Sequence, residues 1–319
     1  MLNKRVGILL ATYNGEKYIS DQVNSILNQT YKNWTLLIHD DGSKDGTIEI
    51  IKEFVKKYPE KIILWEDGKT LGGSKENFAH LLNIAKKEFD FDYVMFCDQD
   101  DVWLPKKIEI TLKKFVEIEK RSQKETPIIV HTDLKVVDED LNIIADSFWC
   151  YQKINPFNVK LSCLILENVV TGCAMMMNKA LIDKVHFIPK DALVHDWWIT
   201  LVCAALGGEI FPIFEPLVLY RQHGTNSIGA KDFTILGVLK RFRRNPYQTF
   251  KNALEKSKRI KKQNIALANY LESELNVKNE LLLKYKKSCN NPLKRKIFYM
   301  KNKCLCGYPL KKFLKLIFC

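Results

Sequence analysis

The sequence predicts an α/β protein, with a mostly parallel sheet flanked by helices and a basic, mainly helical C-terminal extension. Three observations carry that prediction. Strand-like and helix-like patterns alternate through the first hundred residues, as expected of βα units joined by right-handed crossovers. The apolar run Phe91-Asp92-Tyr93-Val94-Met95-Phe96-Cys97 reads as a buried strand of a parallel sheet, and it ends in Asp98-Gln99-Asp100-Asp101. Charge is divided along the chain: residues 1–230 hold 27 Lys/Arg against 32 Asp/Glu, and residues 231–319 hold 23 against 5. The net charge of +13 therefore belongs to the C-terminal quarter. The expected organisation is a catalytic body over 1–230 and a basic arm over 231–319, parting near Gly224–Gly229.

Each element follows from a local pattern. Arg5–Ala11 is the first strand, and Thr12-Tyr13-Asn14-Gly15 is the loop leaving it. Ile19, Val23, Ile26 and Leu27 form a helical stripe. Trp34–His39 is the second strand, closed by Asp40-Asp41-Gly42-Ser43. Asp45-Gly46-Thr47 starts a helix marked by Ile48, Ile51 and Val55. After a short strand at Ile62–Trp65, Ser74 starts a helix with Phe78, Leu81, Leu82 and Ala85 on one face. The buried strand follows, and Pro105 sits where a first helical turn tolerates proline. In the middle third, Ile128–His131, Cys173–Met177, Glu209–Ile213 and Leu217–Tyr220 have strand character. Asn178-Lys179-Ala180-Leu181 opens one helix, and Asp196–Leu206 forms another with a nearly all-apolar surface.

The chemistry concentrates at strand ends. Three carboxylates leaving the C-terminal edge of a parallel strand sit in the crevice where open α/β sheets bind ligands. Such crowding raises their pKa unless a cation joins them, and a hard divalent metal completed by phosphate oxygens meets that need. A polar loop capping the next helix is the simpler alternative. Asp98, Asp100 and Glu109 match the first, third and twelfth positions of an EF-hand, but Trp103 stands where its turn requires glycine, so that reading fails. No GxGxxG follows the first strand and no GxxxxGK[ST] occurs, which removes the main support for NAD chemistry and P-loop phosphoryl transfer. Asp40-Asp41-Gly42-Ser43 reads either as a ribose or base contact or as an Asx-type turn.

Ala11-Thr12-Tyr13-Asn14-Gly15, Gln29-Thr30-Tyr31, Asp40 to Thr47 and Asp98-Gln99-Asp100-Asp101, in this order, resemble glycosyltransferase family 2 over about residues 5–226. Asp98 to Trp103 and Thr132-Asp133-Leu134 are most similar to bacterial rhamnosyltransferases of surface polysaccharide synthesis. The resemblance implies a GT-A fold and an inverting, metal-dependent transfer from a UDP- or dTDP-sugar to a lipid-linked saccharide. It implies that Thr12, Asn14, Asp41 and Asp98 line the nucleotide pocket and that Asp100 coordinates Mg2+ or Mn2+, with Asp101 an extra carboxylate reaching the ion through water. His223 is implied as a further metal ligand, or is a loop histidine satisfied by a carbonyl, and Arg221 as a diphosphate contact. The family's catalytic base lies in a Glu-Asp pair at a helix start; here His195-Asp196 stands in that place, which implies Asp196 as the base and His195 as a residue that tunes it, with a helix N-cap the simpler alternative for Asp196. Thr171-Gly172-Cys173 is expected to approach the acceptor, and of Trp197 and Trp198 one is expected in the core and one against a sugar.

The remaining features set the surroundings. The nine cysteines contain no CxxC pair, and Cys304 and Cys306 are a poor zinc pattern, so free thiols in a reducing compartment are expected. No stretch reaches the about 18 apolar residues that span a bilayer, and the N-terminus lacks a signal-peptide core. A cytoplasmic protein, peripheral at the inner face of the membrane, is the expectation. Lysine with interleaved aromatics in the arm, as in Lys311-Lys312-Phe313-Leu314-Lys315, suits an anionic membrane surface. The alternatives weighed are a solvated helical face, a nucleic-acid-binding arm (disfavoured) and a sugar-nucleotide pyrophosphorylase. The last would need a Gly-rich, basic loop after the first strand, which this chain lacks.

Overall fold

Val6–Thr12 (β1) is buried along almost its whole length because it lies between two parallel neighbours, Trp34–Asp40 (β2) and Tyr93–Asp98 (β4). The computed structural model describes residues 3–224, 243 and 245–318. Ile62–Leu64 (β3) adds to β2 in parallel. Helices Ile19–Leu27 (α1), Thr47–Lys57 (α2) and Ser74–Glu88 (α3) connect these strands. The half-sheet is thus the doubly wound arrangement expected from the alternating pattern.

Beyond β4 the sheet changes direction. A two-residue strand, Val102–Trp103 (β5), precedes Lys107–Glu119 (α4), and Ile128–Val137 (β6) is followed by Ile143–Ala145 (β7). Short helices at Phe148–Gln152 (α5) and Leu161–Leu164 (α6) lead to a 3₁₀ turn at Gly172–Ala174 and to Met175–Asn178 (β8). Lys179–Lys184 (α7) starts on Asn178, whose side chain caps it by accepting from the Leu181 amide. Glu209–Arg221 (β9) is one strand where the sequence suggested two, with register shifts against β6 around Asp133, opposite Pro216. The path is β3-β2-β1-β4-β8-β6-β9-β5, with β7 beside β6. β8 is antiparallel to both β4 and β6, so the sheet is mixed toward this end.

The chain forms two compact units. Among the described residues, the first takes 3–147, 171–187 and 209–224, and contains the whole sheet. The second takes 148–170, 188–208, 243 and 245–318. It contains His195–Ala205 (α8), Pro246–Leu275 (α9), Glu280–Ser288 (α10), Pro292–Lys301 (α11) and Pro309–Phe318 (α12). This is not the division at 230 that charge suggested. Most of Arg241-Phe242-Arg243-Arg244 and all of the Gly224–Gly229 boundary except Gly224 lie outside the described residues. The reason for the difference is packing: α8 is apolar on nearly all sides and needs cover, and Trp198 packs edge-on against Tyr270 of α9. Charge does not report such a partner.

Two further expectations change within the second unit. Cys163 and Cys306 form a disulfide, so these two are not free thiols. Trp197 and Trp198 are both buried, the former donating from Nε1 to the Leu164 carbonyl at 2.8 Å, so neither is presented to a sugar. Among the described residues, no helix is long and apolar enough to cross a membrane.

Candidate active site

Parallel pairing brings the ends of β1, β2 and β4 to one edge, with Thr12 opposite Asp40 and Ala11 opposite Asp98. Thr12 is buried and donates from Oγ1 to Asp40 Oδ1 at 2.8 Å. Asp40 also accepts from the Gly42 and Ser43 amides, so the Asx-type turn belongs to Asp40. Asn14 adopts a left-handed backbone (φ 47°). Its Oδ1 accepts from the Lys44 amide at 2.9 Å and its own amide donates to Ser43 Oγ at 2.8 Å. Asn14 thereby ties the first loop to the second. Asp41 is buried and accepts from the amides of Leu71, Gly72 and Gly73, which anchors the segment entering α3.

The acidic loop has a division of labour. Asp98 ends β4 and is half-buried, and Gln99 turns back to the β1 loop. Asp100 Oδ2 lies 2.7 Å from His223 Nε2, which brings two of the proposed metal ligands to one point. Asp101 is fully buried and accepts from the Arg221 amide at 3.1 Å. Oxygens of Asp98 and Asp101 and the Cys173 sulfur lie within 4.8 Å of one another.

The field here is negative. Burial, followed by the Asp100 and Asp98 carboxylates, pushes the Asp101 carboxyl well above its usual range. Burial and the carboxylates of Asp101 and Asp98 push the Cys173 thiol up, and burial with the same carboxylates raises the Tyr220 hydroxyl. A buried cation, Lys107, shares this field: its ammonium sits 4.2 Å from the centroid of the Trp103 ring, and burial lowers it to about 8 against the pull of Cys173, Cys97 and Asp101. A crowded acidic pocket with a part-buried Asp–His pair fits a divalent cation.

Arg221 is only 4% exposed, and its guanidinium is engaged by protein. Nη1 donates to the Glu139 carbonyl at 2.9 Å and Nη2 to Asp21 Oδ2 at 2.8 Å, while the group lies 4.6 Å from the centroid of the Tyr18 ring. The other side of this arrangement is His223, whose ring is 4.7 Å from that of Tyr18. Tyr18 therefore positions both.

In the second unit, Asp196 occupies the first turn of α8, half-buried, with Oδ1 accepting from the Trp197 amide at 2.5 Å. The helix is preceded by Val194 without a side-chain cap. Burial lowers His195 to about 3, which keeps its imidazole neutral.

Four residues of the first unit's site escaped the sequence reading as participants: Gln99, Tyr18, Asp21 and Lys107. Gln99 was inside the quoted motif, and only the partner loop reveals its role. Lys107 lies at a buried helical position with Thr111 four residues on, both fully buried, and that i, i+4 spacing is the signal that could have placed it inside.

Residues 8–185 match the family model described as glycosyl transferase family 2. The dTDP-rhamnosyl transferase RfbG of Shigella flexneri is 27% identical over 279 residues, covering 85% of this chain and 88% of that protein. UDP-Glc:alpha-D-GlcNAc-diphosphoundecaprenol beta-1,3-glucosyltransferase WfgD of Escherichia coli is 28% identical over 57% of this chain and 63% of its own length. Among solved structures, S. aureus TarS 1-349 in complex with UDP-GlcNAc superposes with a TM-score of 0.52 at 15% identity, over 93% of this chain and 81% of that one. The mannosyltransferase PcManGT from Pyrobaculum calidifontis, in complex with GDP-Man and Mn2+, gives 0.53 at 14% identity, over 98% and 79%. At these identities the likeness is one of fold.

Proposed function

The chain belongs to glycosyltransferase family 2 and has the GT-A fold, and from that premise we propose that it moves rhamnose from dTDP-rhamnose, with inversion, onto a lipid-linked saccharide in surface polysaccharide synthesis. It is a glycosyltransferase. The donor is read from the rhamnosyl relative, and the lipid-linked acceptor from the diphosphoundecaprenol substrate in the name of the glucosyl relative.

The observation that carries the reading is the Asp100–His223 pair at 2.7 Å, beside Asp98 at the C-terminal edge of the sheet. Asp100 and His223 would hold Mg2+ or Mn2+, which supplies electrostatic stabilisation to a departing diphosphate, with Asp98 on the nucleotide side. Thr12 and Asn14 line the nucleotide pocket, and Asp41 shapes it by holding the Leu71–Gly73 backbone. Arg221 has both guanidinium edges engaged, so in place of a bidentate phosphate contact it acts as a fixed positive charge and sets Tyr18 and the His223 segment. Asp196 takes the proton of the acceptor hydroxyl as the bond to the anomeric carbon forms, and one displacement inverts that centre. Its support is its place in the first turn of a helix, where the family carries an acid. A buried, neutral His195 next to it adds no charge of its own.

The second unit's surface supports a peripheral place at an anionic membrane. Tyr247, Phe250 and Leu254 of α9, Leu293, Ile297 and Met300 of α11, and Phe313 and Ile317 of α12 are exposed. The exposed lysines Lys251, Lys294 and Lys312 are interleaved with them. Apolar side chains with flanking lysine suit a headgroup boundary, at about 1 kcal/mol per basic residue. The donor assignment is tested by nucleotide release from a panel of dTDP- and UDP-sugars with Mn2+: fastest release from dTDP-rhamnose is expected, and turnover of another donor alone would replace it. Sedimentation with anionic vesicles at physiological salt tests the surface, and a protein that stays in the supernatant would remove it.

A further inference from the structure

A second cluster in the first unit has no part in the reading above. His39 on β2, Asp67 in the loop after β3, and His80 on α3 each offer a ligand atom, and these atoms lie within 4.8 Å of one another. His80 Nε2 is 2.7 Å from Asp67 Oδ2, and His39 Nε2 is 3.4 Å from Asp67 Oδ1.

The protonation of His39 is constrained by its neighbour. Asn77 Nδ2 donates to the His39 carbonyl at 3.1 Å and faces the Thr12 carbonyl at 3.5 Å, which fixes the amide orientation. Its Oδ1 therefore faces His39 Nδ1, at 2.8 Å, and accepts a hydrogen bond from the Nδ1–H. A neutral His39 then points a bare Nε2 lone pair at a carboxylate. Two acceptors face each other, and a cation between them is needed: a second imidazole proton or a metal ion.

Geometry points to the metal. We propose that His39, Asp67 and His80 form a site for a borderline divalent transition metal such as Zn2+, separate from the acidic loop. Ligands about 2.0–2.1 Å from a tetrahedral zinc are separated by roughly 3.3 Å, close to the His39–Asp67 spacing of 3.4 Å. The Asn77 contact is the outer hydrogen bond that metal-bound histidines require to set their tautomer. Two imidazoles and one carboxylate leave a fourth position for water and favour Zn2+, Co2+ or Ni2+ over Mg2+. The Lys69 ammonium, 3.2 Å from Asp67 Oδ2, is on an exposed side chain and can swing away. Bound metal would join β2, α3 and the loop between β3 and α3, whose far end Asp41 already holds.

The test uses chelator-stripped full-length protein titrated with Co2+, read by visible absorption and equilibrium dialysis, so it does not depend on turnover. Stoichiometric binding with the strong visible bands of a tetrahedral site is expected, kept in the Asp98→Asn/Asp100→Asn variant. His80→Gln and Asp67→Asn, both at partly exposed side chains, should each weaken it by at least about 10-fold. Absence of the bands, their loss with Asp98→Asn/Asp100→Asn, or indifference to both His80→Gln and Asp67→Asn would overturn the site.

Discussion

Gln99 and Tyr13 exchange two hydrogen bonds: the Tyr13 amide donates to Gln99 Oε1 at 2.8 Å, and Gln99 Nε2 donates to the Tyr13 carbonyl at 3.0 Å. The amide of a glutamine thus behaves as a further strand residue, welding the acidic loop to the loop that leaves β1. Gly15 makes room for it, since a Cβ there would stand 2.4 Å from Gln99 Oε1. The two loops that carry Asn14 and Asp100 are held in register by this contact.

Gln99→Ala removes both bonds and should weaken nucleotide binding by about 1–3 kcal/mol without unfolding the protein. Gly15→Ala should do the same by pushing Gln99 aside. Calorimetry with dTDP or UDP in Mn2+ reads the change; wild-type affinity in both variants would remove Gln99 as the organiser of the pocket.

Asp196→Asn keeps the shape and the bond from the Trp197 amide but cannot accept a proton. Turnover should fall by about 10²–10⁴-fold while nucleotide affinity holds. Near-normal sugar transfer would remove Asp196 as the base.

A pH-dependent stability is expected in the second unit, where Lys311 and Lys315 meet Glu167 at 2.6 and 2.7 Å. Burial would raise the Glu167 carboxyl, but Lys315 and Lys311 outweigh it and hold it below its usual range. Lys311 itself is lowered because burial outweighs the carboxylate. The two directions describe one costly, paired cluster, and the Glu167 direction governs the acid side. A depressed folded pKa gives stability that is present above the unfolded value of about 4.3 and is lost as pH falls below it. Urea unfolding should find Glu167→Gln less stable than wild type by about 3 kcal/mol near pH 7, with the gap closing below pH ~4. A gap that does not change with pH would contradict the assignment.

The half-sheet from β1 to β4 was legible because its strands are neighbours in sequence and apolar on both faces, so composition alone marks them. The motifs at their ends were legible for the same reason. The rest depends on distant partners. β9 was read as two strands parted at Phe214-Glu215-Pro216, and only its parallel pairing with β6 shows one strand. Arg221 was assigned to a ligand by residue type, although it is buried against protein, and the buried Lys107 drew no assignment at all. The Cys163–Cys306 bridge spans 143 residues and leaves no trace in spacing. The partner of α8 was hidden because an apolar helix shows that it is covered, never by what.

Nucleotide release from a nucleotide-sugar donor, measured with and without Mn2+ in wild type and in Asp100→Asn, tests whether the acidic loop holds a catalytic ion. Chelator should abolish release, added Mn2+ should restore it, and Asp100→Asn should lower it about 10²–10³-fold with an unchanged circular dichroism spectrum. Full release in chelator, or an Asp100→Asn variant as fast as wild type, would contradict an ion held by the acidic loop at the departing diphosphate.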